Sequence, residues 1–393
     1  MKWSNKRSYY SYRNYNKSAA RLINWTCSLL FIIFSMVYLV VFQKDLIESL
    51  HFSTAKTYNE FKIIPAAIIV TVILMILEWG LNLLLRLRGR VHALAYLPSF
   101  LGLVTMTGFG RDVYTGGFNY VWWWLMPLLT AVFVLLVVIA RRFFKVTRDW
   151  PDTLSLINCN LSLMLVMCIV TLCLGNSDKS FHNELRMESL MVKHQNEEVL
   201  KVAEKSLKTT RTMSALRVMA MVKEGSLGNR LFEYPQYFKS EGLFFDSDSL
   251  KTLRYTNDSV YALIGDKPIG GERMLPFLKR VYDEKKDSCC NIRMYYGAAL
   301  LLEKDLDELS FVLENQINDG DTLQRYFVEA SIMYKDKNRS WKFKSTDNDS
   351  LYYEKYEKYK SMQKEEYKSK DEERNLMRLE FGDTFWWYYD YQE

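Results

Sequence analysis

Catalytic signatures are what the chain most plainly lacks. It has no Gly-rich phosphate loop and no GxSxG elbow, and its four histidines (His51, His92, His182 and His194) stand singly, with no HExxH pair. No Ser/His/Asp grouping can be assembled from them. The six cysteines include no spaced CxxC pair, which argues against a zinc site or a disulfide framework. Cys27, Cys159, Cys168 and Cys173 lie in apolar stretches as small packing residues. Cys289 and Cys290 are adjacent, and the short ring strains a disulfide between neighbours. Alternating strand patterns of useful length are missing too, so the expected fold is all-α. The net charge of +6 is modest. No metal, cofactor or nucleic acid is expected, and the chain points away from an enzyme.

Long apolar runs are abundant up to Gly175 and absent after Asn176. A helix needs about 20 apolar residues to cross the hydrocarbon core. The segments Leu22–Phe42, Ile63–Leu85, Ala93–Thr107, Tyr120–Ala140 and Thr153–Leu174 are read as about five transmembrane helices. The third is short and carries Pro98, Gly102 and Gly108, which suits a kinked or re-entrant segment. The first is too long for a cleaved signal peptide and is expected to remain in the mature protein. Basic residues gather in the N-terminal tail (Lys2, Lys6, Arg7, Arg13, Lys17, Arg21), after the second span (Arg86, Arg88, Arg90) and after the fourth (Arg141, Arg142, Lys145, Arg148). Five crossings put all three groups on one side, which the positive-inside rule makes cytoplasmic. The expectation is a multi-pass protein of a bacterial inner membrane, in contact with membrane lipid, with a cytoplasmic N-terminus and a periplasmic C-terminal domain. Trp122, Trp123, Trp124 and Trp150 sit at span ends, where indoles anchor in the headgroup layer.

Few polar residues interrupt these spans. Glu78, with Asn82 one turn later, either pairs with a neighbouring helix and the basic interface or handles protons or ions. Asn158 and Asn160 are expected to bond between helices. Asp45 and Glu48 follow the first span; they are ordinary exposed acids or the acidic groups of a glycosyltransferase-like enzyme acting on a lipid-linked substrate. Asp45, Glu48 and Glu78 are the candidate catalytic residues.

The polar half reads as helices over Leu185–Leu207, Met213–Ala220, Leu231–Tyr237, Leu250–Ile264 and Arg273–Tyr282. Two further striped helices meet at a Lys304–Asp305 turn, where Tyr296, Gly297 and Leu300 face Leu309 and Leu313 with loose tetratricopeptide spacing. Such hairpins stack into surfaces suited to protein partners. A charge-dense helix follows over Leu351–Phe381, and then F-G-D-T-F-W-W-Y-Y-D-Y. Phe385, Trp386, Trp387 and Tyr388 either fold back on the domain or dock on a partner, because so dense an aromatic run does not stay in water. The expected organisation is a basic tail (1–21), a transmembrane domain (22–175), a helical-repeat domain (182–335), a linker (336–350), and a C-terminal helix with its aromatic tail (351–393). Tyr296, Gly297 and the four tail aromatics are the candidate interaction residues. Five triplets beginning at Asp152, Asp248, Asp258, Asp321 and Asp349 fit an Asp-Ser/Thr-apolar O-glycosylation pattern.

Four blocks carry a resemblance: Asp45-Leu46, V-H-A-L-A-Y-L-P-S-F-L-G-L from Val91 to Leu103, G-S-L-G-N-R-L-F-E-Y from Gly225 to Tyr234, and F-G-D-T-F-W-W-Y-Y from Phe381 to Tyr389. With them the chain resembles an uncharacterised bacterial family of multi-span inner-membrane proteins with a tetratricopeptide-like periplasmic domain. The resemblance implies an envelope location and a two-part architecture, and no activity. The expected role is a membrane-anchored scaffold or complex subunit that binds another envelope protein; the alternative is a membrane enzyme or transporter.

Overall fold

A computed structural model describes residues 4–55, 61–85, 87, 89–108, 110, 121–143, 153–246, 254–285, 290–318, 323–338, 341 and 350–392. Among them every regular element is helical and there is no strand. Two compact units divide the chain, Met1–His182 and Asn183–Glu393. Arg86, Arg88, Arg111, Lys145, Arg148, Trp150, Cys289, four of the five triplet aspartates and most of the 336–350 segment lie outside the described residues.

The first unit contains α1 (Ser4–Val37), α2 (Lys44–Ala55), α3 (Ile63–Leu85), α4 (Leu97–Thr107), α5 (Val121–Phe143) and α6 (Thr153–Leu174). Among the described residues, three stretches are long and apolar enough to cross a membrane: Arg21–Phe42, Ile63–Leu85 and Leu154–Leu174. Val91–Thr107 and Pro127–Ile139 are shorter apolar helices. The third expected span is broken: Gly89–Tyr96 is a 3₁₀ helix, and α4 begins with Pro98 in its first turn. At ~1.5 Å rise per residue, α4 alone is too short to cross a bilayer.

Polarity in this unit is arranged inside out. Ile69, Ile73 and Ile76 of α3 and Val166 and Ile169 of α6 are exposed. The interior instead holds hydrogen-bonded polar pairs: Ser28 with Tyr96 (2.7 Å), Ser35 with Thr71 (2.9 Å) and Tyr38 with Thr107 (2.7 Å). Asn160 of α6 accepts the Ala93 N–H at 2.8 Å, tying α6 to the 3₁₀ segment, whereas Asn158 faces outward. Gly102 lets α4 approach α3, since a Cβ there would lie 2.8 Å from the Leu74 side chain.

Helix α7 (Lys179–Val192) begins in the first unit and continues into the second, which adds α8 (Asn196–Lys201), α9 (Arg211–Lys223), α10 (Leu227–Arg230), α11 (Asn257–Ile264), α12 (Met274–Lys285) and α13 (Cys290–Glu303). It ends with α14 (Leu306–Asn318), α15 (Arg325–Lys337), α16 (Ser350–Gln363), α17 (Lys370–Phe381) and α18 (Phe385–Tyr391). Its core is built on α9, α13 and α15. Every residue from Thr212 to Val222 is buried, as are Tyr295–Leu302 and Tyr326–Met333.

Three expected helices are cut by local chemistry. The Leu185–Leu207 stretch breaks at His194, whose φ of 56° ends α7, and α8 stops at Lys201. The Leu231–Tyr237 stretch is one 3₁₀ turn, after which Tyr234 is extended (ψ 148°), because the residue before Pro235 is disfavoured in the helical region. The Leu351–Phe381 helix is two: Ser369 caps α17 by accepting the Glu372 N–H at 3.2 Å, and Asp371, Glu372 and Glu373 occupy its positive first turn.

Candidate interaction groove

The groove is built from the C-terminal aromatic segment upward. Thr384 caps α18 by accepting the Trp387 N–H at 3.3 Å. The free N–H of Phe385 donates to Glu329 Oε2 at 2.7 Å, and the Trp386 indole N–H donates to the Glu329 carbonyl at 2.8 Å. The Tyr388 hydroxyl donates to the Leu302 carbonyl at 2.7 Å. With these polar tips satisfied, the rings can be buried without an unpaired donor. The Phe232 ring packs at a tilt against both, 5.7 Å from Phe385 and 4.8 Å from Tyr388. Phe385 and Trp386 are core residues. Trp387 and Tyr388 underlie a cavity.

That cavity, of about 350 Å³, lies between α17, α18, the 204–207 loop and the 232–236 segment. Phe232, Tyr234 and Trp387 provide an aromatic lining. Leu207 and Leu379 also line it and stand 57% and 84% exposed. Leu379 is an apolar residue off the Met377–Phe381 stripe that α17 buries, and that misplacement was the available sequence signal for the groove.

Charges of both signs line it. Burial would raise the Asp383 carboxyl, but Arg325 at 2.8 Å and Lys355 at 3.5 Å hold it below the usual range. Glu233 pairs with Arg230 at 2.9 Å. Behind Tyr234 lies Arg217, fully buried, with its guanidinium 4.6 Å from the tyrosine ring. It donates to the carbonyls of Val202 (3.1 Å) and Ala203 (3.2 Å) and so fixes the loop that walls the groove. Burial pushes Arg217 down to about 10, which leaves it charged at neutral pH.

The other sequence candidates sit elsewhere. Tyr296 is buried, donating to Glu308 at 3.1 Å and packed at a tilt against Tyr282 at 5.1 Å. Gly297 seats the Phe327 ring, which a Cβ would meet at 2.8 Å. Tyr296 thus packs α13 against α12 and α14, and Gly297 packs it against α15. In the first unit, Glu78 is 6% exposed and within electrostatic reach of Cys27 and Tyr96. Asp45 and Glu48 share α2. Asp45 Oδ2 lies 4.0 Å from His182 Nδ1, while His182 Nε2 bonds the Asn176 carbonyl at 3.2 Å. That same carbonyl accepts the Gln43 side-chain N–H at 3.0 Å. Nothing in the local sequence around His182 or Gln43 signalled that cluster, because 133 residues separate Gln43 from Asn176.

The chain belongs to a family of unknown function, DUF6057, whose model matches residues 8–266 and 278–392. No curated protein and no solved structure matches it.

Proposed function

We propose that this member of a family without an assigned activity is a membrane-anchored scaffold or complex subunit, whose helical unit captures a segment of another envelope protein in the groove over Trp387. The inside-out polarity of the first unit supports membrane burial: a helix bundle with exposed isoleucines and valines around bonded hydroxyls suits lipid as its solvent. The proposal keeps five crossings, a cytoplasmic N-terminus, a periplasmic second unit and tetratricopeptide-like stacking of hairpins such as α13–α14.

The observation that carries the reading is the pair of exposed leucines, Leu207 and Leu379, flanking an aromatic-lined cavity. Buried aromatic anchors ringed by polar residues are the usual anatomy of a protein-binding site. A photo-cross-linking amino acid placed at Leu379 in intact membranes is expected to give one reproducible protein adduct, lost when Leu207→Glu is added. Absence of any adduct, or an adduct indifferent to Leu207→Glu, overturns it.

A second reading, a membrane enzyme or transporter acting on a lipid-linked or small substrate, is favoured by the Asp45–His182 approach and the buried Glu78. Joint replacement of Asp45, Glu48 and Glu78 by Ala separates the two: the adduct at residue 379 persists under the scaffold reading, whereas under the enzyme reading the triple variant reproduces the phenotype of deleting the gene.

A further inference from the structure

We propose that the segment taken by the groove is acidic: an internal peptide stretch in which an Asp or Glu carboxylate sits beside an apolar side chain. The inference rests on the groove being the capture site, and it adds the chemistry of what is captured.

The groove's own carboxylates are largely spoken for. Glu233 is bonded to Arg230, and Asp383 to Arg325 and Lys355. Its cations are not. Arg378 sits over Trp387, with its guanidinium carbon 5.2 Å from the ring centroid, and no carboxylate pairs with it among the described residues. Lys205 likewise lines the cavity with no carboxylate on its ammonium group there. Arg217 adds a third positive charge behind Tyr234, bonded to carbonyls and a hydroxyl rather than to an acid. Against these three stands the exposed Glu204 at the lip. The balance facing a bound segment is positive.

Geometry sharpens the choice. With no carboxylate on it, the Arg378 guanidinium keeps its N–H groups for a ligand, and a planar guanidinium presents a fork that matches a carboxylate with two parallel bonds. Leu379, the next residue along α17, and Leu207 across the cavity offer an apolar seat beside that fork. A segment that places one carboxylate on Arg378 and one apolar side chain between the leucines satisfies both demands.

The test uses the full chain in detergent micelles and fluorescein-labelled nine-residue peptides in which Leu alternates with Asp, Lys or Asn, each made with an amidated and a free C-terminus. Fluorescence anisotropy is expected to show the Leu/Asp peptide binding at least tenfold more tightly than the Leu/Asn and Leu/Lys peptides, with or without a free terminus. The preference should weaken with added salt. Arg378→Glu should reverse it toward Leu/Lys. Arg378→Lys, which keeps the charge but not the fork, should lose several-fold, and Lys205→Glu should weaken Leu/Asp binding without touching α17. Equal binding of all three peptides, or a preference unmoved by Arg378→Glu in a chain of unchanged helicity, overturns the proposal. So does binding confined to free termini, which would assign the site to a chain end. Should no peptide bind while the adduct at residue 379 persists, the acidic inference fails and the capture site stands; loss of both removes the capture site itself.

Discussion

A chain ended at Gly382 is expected to lose the fold of its second unit altogether. Phe385, Trp386, Trp387 and Tyr388 are all buried there. Such rings bury about 150–250 Å² each, worth roughly 4–6 kcal/mol apiece at about 25 cal/mol per Å², as upper figures. Four of them together match or exceed the net stability of an ordinary domain, about 5–15 kcal/mol. The segment also ties down distant parts of the unit. Lys304, in the α13–α14 turn with φ of 61°, donates to the Tyr389 carbonyl at 2.9 Å. The Gln392 amide donates to the Gln236 carbonyl at 2.6 Å. Limited proteolysis should convert the protected 183–393 fragment of the full chain into small peptides in the shortened one. A milder variant, Trp386→Ala, should cost about 3–5 kcal/mol and lower the thermal midpoint. Equal protease resistance of the two chains would contradict the packing described.

Glu329→Ala is the second large effect expected, a loss of about 3–5 kcal/mol. The side chain is fully buried on α15, with Oε1 accepting Arg325 Nε at 2.8 Å and Oε2 accepting the Phe385 N–H at 2.7 Å. Removing it strands a helix-terminal N–H in the core and leaves Arg325 with Asp383 alone. Glu329→Gln keeps an acceptor for Phe385 and should lose less, about 1–2 kcal/mol. Burial pushes the Glu329 carboxyl up to about 7, against the lowering pull of Arg325 and the Phe385 N–H. Because the folded chain then holds a proton that the unfolded chain has released, folding takes up a proton between the ordinary carboxyl range and about 7. The contribution of this group is full below its unfolded value and is lost as the pH rises through about 7. Thermal melts across that window should slope downward in the parent and flatten in Glu329→Gln; matching slopes would place the carboxyl outside it.

Local patterns revealed the helices and the apolar stretches, because each needs only neighbours in sequence. The Lys304 turn and the break around Pro98 were legible for the same reason. The environment of Arg217 was not. Met213, Leu216, Met219 and Ala220 mark one face of α9 and put Arg217, one turn after Met213, at the edge of that stripe, where a long basic side chain ordinarily carries its charge out to water. Here α9 is buried on every side, so amphipathic reasoning fails and the guanidinium is enclosed against Tyr234. The tail aromatics could be read as needing cover, and the sequence offered two kinds of cover. Which of them touches the core and which the groove depends on Glu329 and Leu302, 56 and 86 residues away from their bonding partners. Glu78 was readable as buried because it interrupts an apolar run; its neighbours Cys27 and Tyr96, from other segments, were not.

The docking of α18 also governs how the second unit comes together. Phe232 and the Leu302 carbonyl receive Phe385 and Tyr388 from far along the chain, and the Gln236–Gln392 bond spans 156 residues. Pairings this distant form late and slowly, since the loop they close must be ordered first. A nascent or refolding chain therefore carries an uncovered ring of aromatics through most of its assembly. That interval is when neighbouring copies can stick to one another, and when a holding chaperone has something to grip.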